Sequence, residues 1–223
     1  MMSELEALAA GIGDEALREM VLDFLKVPDI GLEGAKLPLD ECPGGAYVHH
    51  AYKGGLIQHT LAVARLCLTL CDLVEEVYGG RVDRDVVLAG ALLHDVMKCY
   101  AYVPNEGRYR TSALGERVDH LTLLTAEMIA RGFPLEVVHV AASHHGEQSP
   151  VKPKTLEALI VSIADLADSE LSRQTLRAAE YLIRESTGAR RFCVSSEEAL
   201  GVLEAKARGG WDGVRRLLSG KDK

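Results

Sequence analysis

The sequence predicts a single all-α domain, and three observations carry that expectation. Apolar residues recur three or four apart through most of the chain, the spacing of one face of a helix. Strand signals are almost absent. The 223 residues, 48% hydrophobic and 26% charged, suffice for a real core, which several amphipathic helices must share.

Residues 4–26 carry Leu5, Leu8, Ala9, Ile12, Ala16, Met20, Val21, Phe24 and Leu25 at helical spacing, opened by Ser3 and Glu6 as a capping box. Residues 27–58 hold Pro28, Gly31, Gly34, Pro38, Pro43, Gly44, Gly45, Gly54 and Gly55 and read as an irregular loop. Helices follow at roughly 57–78, 84–99, 116–131, 134–143, 155–172, 174–186 and 196–208, with a short last piece to about 218. Asp83 caps the second of these, Pro134 opens the fourth, and Ser195 with Glu198 boxes the helix at 196–208. The stretch 100–112 reads as a small hairpin or flap. The chain divides into a helix and loop at 1–44 packed on the core, a core at 45–172 and a C-terminal helical extension at 173–223.

The net charge of −8 disfavours a broad electrostatic footprint on nucleic acid. Charge is uneven: residues 1–40 carry nine acids and three bases, residues 171–223 eleven bases and seven acids. That basic end reads as a solvated helical face. No apolar run approaches the roughly 18–20 residues of a membrane span, and the start is too acidic for a secretory or transit signal. A cytoplasmic protein is expected. Its five cysteines, 42, 67, 71, 99 and 193, read as reduced thiols. Cys67 and Cys71 have the spacing of half a zinc site, but no second pair completes it, so they read as small buried hydrophobes. The chain contains no P-loop, G-x-G-x-x-G, G-x-S-x-G or CxxC, which removes support for kinase, dehydrogenase and serine-hydrolase chemistry.

The eight histidines, 49, 50, 59, 94, 120, 139, 144 and 145, avoid the first 48 and last 78 residues. His94-Asp95 follows VVLAGALL, a run apolar enough to be buried. Desolvating an imidazole beside a carboxylate is costly unless a charge compensates, and a divalent cation does so. His59 precedes LAVARLCLTL, and His144-His145 closes VVHVAAS. Asp165 shares a helical stripe with Ala158, Val161, Ser162 and Ser169, where an unpaired carboxylate is disfavoured. Mixed imidazole and carboxylate ligands suit Mn, Fe, Ni, Co or Zn. His139 reads as a core or supporting histidine.

Five pieces in order, GGLIQHT at 54–60, LLHDVMK at 92–98, DHLT at 119–122, SHHGE at 143–147 and ADLAD at 164–168, resemble the HD-domain superfamily of metal-dependent phosphohydrolases over roughly residues 45–172. HHAYKGGLIQHT, ALLHDVMK and SHHGEQSPVKP are also similar to the HD portion of bacterial 3′–5′ exoribonucleases that carry an OB-fold ahead of it. The first 45 residues here read as helix and loop, not as an OB-fold. The resemblance implies one or two divalent transition ions. His59, His94, Asp95 and Asp165 would hold the first; His120, His144 and His145 would hold a second, with Asp95 bridging. It implies a phosphoester substrate: a phosphorylated small molecule, a nucleotide or a short single-stranded nucleic acid. Cleavage would use a metal-activated water, with Lys98 and Asp95 catalytic. The family usually has Gly where this chain has Met97, a larger side chain next to the site that either narrows the pocket or points away from it. No GYP follows the HD pair, which argues against the branch that acts on cyclic dinucleotides. His49, His50, Lys53, Arg108, Arg110, Ser149 and Lys152 lie in loops near these pieces and are candidate substrate contacts. The alternative is a non-catalytic binding or signalling module that keeps the metal site.

Overall fold

The computed structural model describes residues 2–31 and 36–220, and it is all-α apart from one hairpin. Gly34 of the expected loop lies outside the described residues. The run 4–26 is two helices, α1 (Met2–Ala9) and α2 (Glu15–Lys26). The break falls at Gly11–Gly13. Asp14 caps α2 by accepting from Leu17 N, and the Gly13 and Asp14 amides donate to the Asp85 carboxylate, each at 2.8 Å. Helix α1 begins ahead of Ser3, so the expected Ser3/Glu6 box is not its cap.

Helix α3 (Gly55–Asp72) runs on through a π-helical turn at Leu73–Val77. By length and composition Gly55–Val77 would suffice to cross a membrane, contrary to the sequence expectation; half of it is buried inside the fold as a core helix. Asp83 caps α4 (Arg84–Leu93) as expected. That helix stops six residues earlier than its apolar pattern suggested. A turn at 94–97 intervenes before the short α5 (Lys98–Ala101). Neighbours on a regular helix point about 100° apart; the turn lets His94 and Asp95 both face inward.

Strands β1 (Tyr102–Asn105) and β2 (Arg108–Thr111) form the expected hairpin, antiparallel with Asn105 opposite Arg108. Its two turn residues, Glu106 and Gly107, both have positive φ, which suits the right-handed strand twist. Asp119 caps α6 (His120–Ala130), Pro134 opens α7 (Leu135–Ser143), and His144 and His145 follow in a turn before the 3₁₀ segment Gly146–Gln148. Helix α8 (Leu156–Thr187) is a single 32-residue helix where two were expected, because the sequence around Ser172 has no glycine or proline to break it. Helix α9 (Ser196–Leu218) kinks at Gly210 (φ 59°), which accounts for the two pieces expected there. Its Ser195 cap accepts from Glu198 N, while the Glu198 carboxylate accepts from Val194 N.

One core joins α1–α4, α6, α7 and the first half of α8, with Phe24, Ile57, Leu93, Leu124 and Met128 fully or nearly fully buried. Helices α4 and α7 approach closely at Gly90, where a Cβ would lie 2.3 Å from Val140. Cys67 and Cys71 are buried in this core as free thiols, and among the described residues they join no metal-binding cluster. A second, smaller cluster joins the far half of α8 to α9 through Leu176, Ile183, Val202 and Val214.

Candidate metal centre

Five helices of the main core bring their polar residues to one point. His59 comes from the first turns of α3, His94 and Asp95 from the turn after α4, His120 from the start of α6, His144 and His145 from the turn after α7, and Asp165 from α8. His59, His94, Asp95 and His144 are at most 1% exposed.

These residues form two nests that share Asp95. In the first, His59 Nε2 lies 3.1 Å from Asp165 Oδ1 and 3.3 Å from Asp95 Oδ2, and His94 Nε2 lies 3.3 Å from the same Asp95 oxygen. In the second, Asp95 Oδ1 lies 3.2 Å from His120 Nε2 and 3.5 Å from His144 Nε2. The His145 ring sits 4.2 Å from that of His144 and 5.1 Å from that of His120, centre to centre. Each set offers one ligand atom per residue, all within 4.8 Å of one another.

The hydrogen bonds outside the nests fix which nitrogens face in. His94 Nδ1 donates to Ala91 O at 2.8 Å, and His144 Nδ1 to Ala141 O at 2.7 Å. His59 Nδ1 donates to Asp168 Oδ2 at 2.7 Å. Carbonyl and carboxylate oxygens only accept, so the outer nitrogen of each ring carries a proton, and with an ion present the inner nitrogen would turn its lone pair toward it. His59 Nε2 and His94 Nε2 then face each other at 3.1 Å. Both Asp95 oxygens, His120 Nε2 and His144 Nε2 are buried without a well-directed hydrogen bond. Bare nitrogens and carboxylate oxygens packed this closely need a cation between them. The residues therefore fit divalent metal ions, which either nest could hold.

The electrostatics agree. Burial pulls the His59 imidazole down, but Asp165, Asp168 and Asp95 more than reverse this and lift it to about 10. Burial would raise Asp95; Lys98 and His94, with His120 and His144, hold it well below the usual carboxylate range. Lys98 Nζ lies 2.5 Å from Asp95 Oδ2 and donates to Gly44 O at 2.8 Å. Burial, then the neighbouring His144, lowers His145 to about 3.

A cleft of about 880 Å³ opens over the centre, walled among others by His49, Lys98, His145, Lys152, Asp165 and Arg173. Of the expected substrate contacts, His49 and Lys152 line it, Lys152 paired with Glu147. The others lie elsewhere. His50 turns away to Asp168 and Tyr52. Lys53 pairs with Glu41 at the surface, and Arg108 stacks on Phe192, 3.3 Å from the ring centre. Arg110 is exposed and meets only Thr111 O, at 3.4 Å. Ser149 is buried as the cap of the 3₁₀ turn. Met97 does not border the cleft: it is fully buried in the main core, because the turn that points Asp95 inward sends residue 97 the other way. His139 is a supporting residue, accepting from Lys154 N at 2.9 Å and so fixing the loop ahead of α8. The residue that sequence reasoning passed over is Asp168, three positions after Asp165 on the same helical face, which holds His59 from behind.

Residues 56–170 match the HD domain family. The chain is 40% identical over 212 residues, 94% of its length and 85% of the relative's, to dihydroneopterin 2′,3′-cyclic phosphate phosphodiesterase of Methanocaldococcus jannaschii. It is 32% identical over 143 residues to the 3′-5′ exoribonuclease YhaM of Listeria innocua, and 27% identical over 143 residues to that of Bacillus subtilis; each match covers 58% of this chain and 43% of the exoribonuclease. No solved structure matches the chain. The chain belongs to the HD domain family. Within it, the protein is a metal-dependent phosphohydrolase.

Proposed function

We propose that this protein is a phosphodiesterase that opens a 2′,3′-cyclic phosphate on a small heterocyclic molecule, giving a phosphomonoester and a freed hydroxyl. The observation that carries this reading is the Asp95 carboxylate, with one oxygen in each of two ligand nests. Divalent ions there would lower the pKa of a water and take up negative charge on the phosphoryl oxygens. The chain's own residues do the rest. Asp95 fixes the spacing of the two nests, and Lys98 places a buried ammonium beside it on the cleft wall, against the charge that develops on phosphorus oxygens. The cleft, about 880 Å³, is within the range of small-molecule sites.

The likeness to a cyclic-phosphate phosphodiesterase spans 94% of the chain, whereas that to the exoribonucleases stops at 58%. This favours a single small unit over RNA and a catalytic protein over a silent binding module. We take the ions from Mn, Fe, Ni, Co and Zn. The five free, buried cysteines support a cytoplasmic setting.

The test is hydrolysis by protein loaded with each of these metals. The panel is dihydroneopterin 2′,3′-cyclic phosphate, nucleoside 2′,3′-cyclic phosphates, deoxynucleoside monophosphates and short RNA. Cyclic phosphates should lead in kcat/KM by at least about 10²-fold, about 2.7 kcal/mol of transition-state preference. Turnover of monophosphates or RNA alone would overturn the reading.

A further inference from the structure

A continuous line of polar contacts, buried near the centre and half-buried at its outer end, leaves the metal centre by way of His59 Nδ1. Asp168 Oδ2 accepts twice, from His59 Nδ1 at 2.7 Å and from His50 Nε2 at 2.8 Å. The other nitrogen of His50 lies 2.9 Å from the Tyr52 hydroxyl. Tyr52 donates to Gln58 Oε1 at 2.6 Å, and the same oxygen accepts from Ser196 Oγ at 3.0 Å. Ser196 is the first residue of α9, and His50, Tyr52 and Ser196 all lie outside the matched residues 56–170.

The loop carrying His50 is built to aim it this way. His50 has φ 43°, the left-handed region uncommon outside glycine, where His is found more often than most side chains. Its N–H donates to Ser172 Oγ at 2.9 Å, and its carbonyl accepts from Gly44 N at 3.0 Å and Tyr52 N at 2.9 Å. A Cβ on Gly55 would lie 2.0 Å from that carbonyl oxygen, so only glycine permits the approach. Strain held by this many contacts marks a position with a task. The kink sends His49 toward the cleft and His50 toward Asp168.

We propose that Asp168 and His50 are positioning residues that fix the metal-facing tautomer of His59, anchored through Tyr52 and Gln58 to the first turn of α9. The proposal rests on the reading of His59 as a metal ligand. A ring whose Nδ1–H is committed to a carboxylate must present Nε2, and the added basicity strengthens its bond to the ion. His50 supplies the second donor that keeps the Asp168 oxygen in place. Helix α9 and the His50 side of the 49–54 loop thereby become parts of the metal centre, while His49 of the same loop faces the cleft.

The experiment is Co²⁺ binding to chelator-treated full-length protein, followed by competition with a chelator and by the visible absorption of the bound ion. The wild type should take two ions, and the one lost in His59→Ala identifies the first nest. Asp168→Ala should weaken that ion roughly 10–100-fold and change its absorption while leaving the other ion as it was. Asp168→Asn, which keeps an acceptor oxygen, should recover most of the affinity. His50→Asn, a residue that accepts positive φ, should give a smaller loss and serves if Asp168→Ala does not fold. A purely structural role would lower the melting temperature of the chelated protein and leave Co²⁺ affinity within twofold in both variants, with an unchanged spectrum; that result overturns the relay. A third Co²⁺ ion in the wild type, lost in both variants, would overturn it too, by making His50, His59 and Asp168 a ligand set themselves. If the wild type binds no Co²⁺, the metal reading itself falls. If it binds and the variants bind equally, the relay alone falls.

Discussion

His59, His94 and Asp165 face one oxygen of Asp95 from a nearly closed chamber, with both histidines held from behind by a carboxylate or a carbonyl. On the other oxygen the arrangement is looser. His144 is tied to Ala141 O, but among the described residues no hydrogen bond from outside the nest holds the rings of His120 or His145, and both are partly open. His145 also lines the cleft. The first nest has its ordering done at folding, so an ion there adds contacts without freezing side chains. The second must order two imidazoles when its ion arrives. An ion in the first nest would accordingly be held more firmly than one in the second, although Asp165 of the first nest borders the cleft as His145 does.

Asp95→Ala should break this comparison most severely, since both nests lose their common ligand. Elemental analysis should fall from two ions to fewer than one, with activity at background. The chelated protein should also lose roughly 3–5 kcal/mol in urea unfolding, because Lys98 is left buried without its carboxylate. An Asp95→Ala protein that keeps two ions would mean the nests are independent.

Met97→Gly separates the wall of the centre from the core behind it. The family resemblance suggests that glycine here would restore the site. The packing says otherwise, since the side chain is fully buried among apolar neighbours. The change should cost roughly 2–5 kcal/mol of stability and leave kcat of the folded, loaded protein within twofold. A gain in kcat would put Met97 back at the pocket.

Lys98→Met keeps the length of the side chain and removes the ammonium between Asp95 and the cleft. A kcat lower by about 10²-fold, about 2.7 kcal/mol, is expected with two ions still bound. Loss of an ion instead would make Lys98 a partner of the nests and not of the substrate.

Proton release gives a finer reading of the two sides. With burial opposing, the three carboxylates raise His59 to about 10, so the chelated protein holds a proton there at neutral pH. Burial and His144 keep His145 near 3, so it holds none. Affinity for the first ion should therefore rise about tenfold, about 1.4 kcal/mol, per unit of pH between about 6.5 and 10. The second should be nearly flat over that range. Stability of the chelated protein follows the same signs. The His59 contribution is full below the unfolded imidazole value and fades as pH rises through about 10. His145 costs stability as pH falls from about 6.5 toward 3. Calorimetry in buffers of different ionisation enthalpy measures both, and equal proton release from the two sites would erase the distinction.

The all-α class, the Asp83 and Pro134 starts, and the polar residues His59, His94, Asp95, His144, His145 and Asp165 were legible from local pattern, namely apolar spacing, caps, and polar residues set in apolar runs, whereas His120 was legible only through the resemblance of DHLT to the HD-domain superfamily. The early end of α4 was not. A run such as VVLAGALLHDVMK has perfect helical periodicity, and only the demand that His94 and Asp95 both face inward stops it. The same demand sends Met97 into the core. Asp168 was visible three residues after Asp165, but its partner His50 lies 118 positions away, a pairing that only the fold creates. Loop cations were misplaced for a related reason. Nearness in sequence to the HD, HH or GGLIQHT pieces says little about which side of a loop a long side chain takes.

That last point gives the smallest expected effects. Lys53 and Arg110 flank the ligand segments in sequence, yet Lys53 pairs with Glu41 outside the cleft and Arg110 extends from β2 into solvent. Arg173 and Lys154 are remote from the histidine pairs in sequence but stand on the cleft wall. Lys53→Ala and Arg110→Ala should leave kcat/KM for a cyclic phosphate within twofold. Lys154→Ala and Arg173→Ala should raise KM severalfold at low salt, with kcat little changed, since a rim charge acts on arrival more than on the bond being broken. Added salt should shrink that difference, because exposed charges are screened over about 8–10 Å. A large loss from Lys53→Ala, insensitive to salt, would place Lys53 beside His49 over the substrate and overturn its pairing with Glu41 outside the cleft.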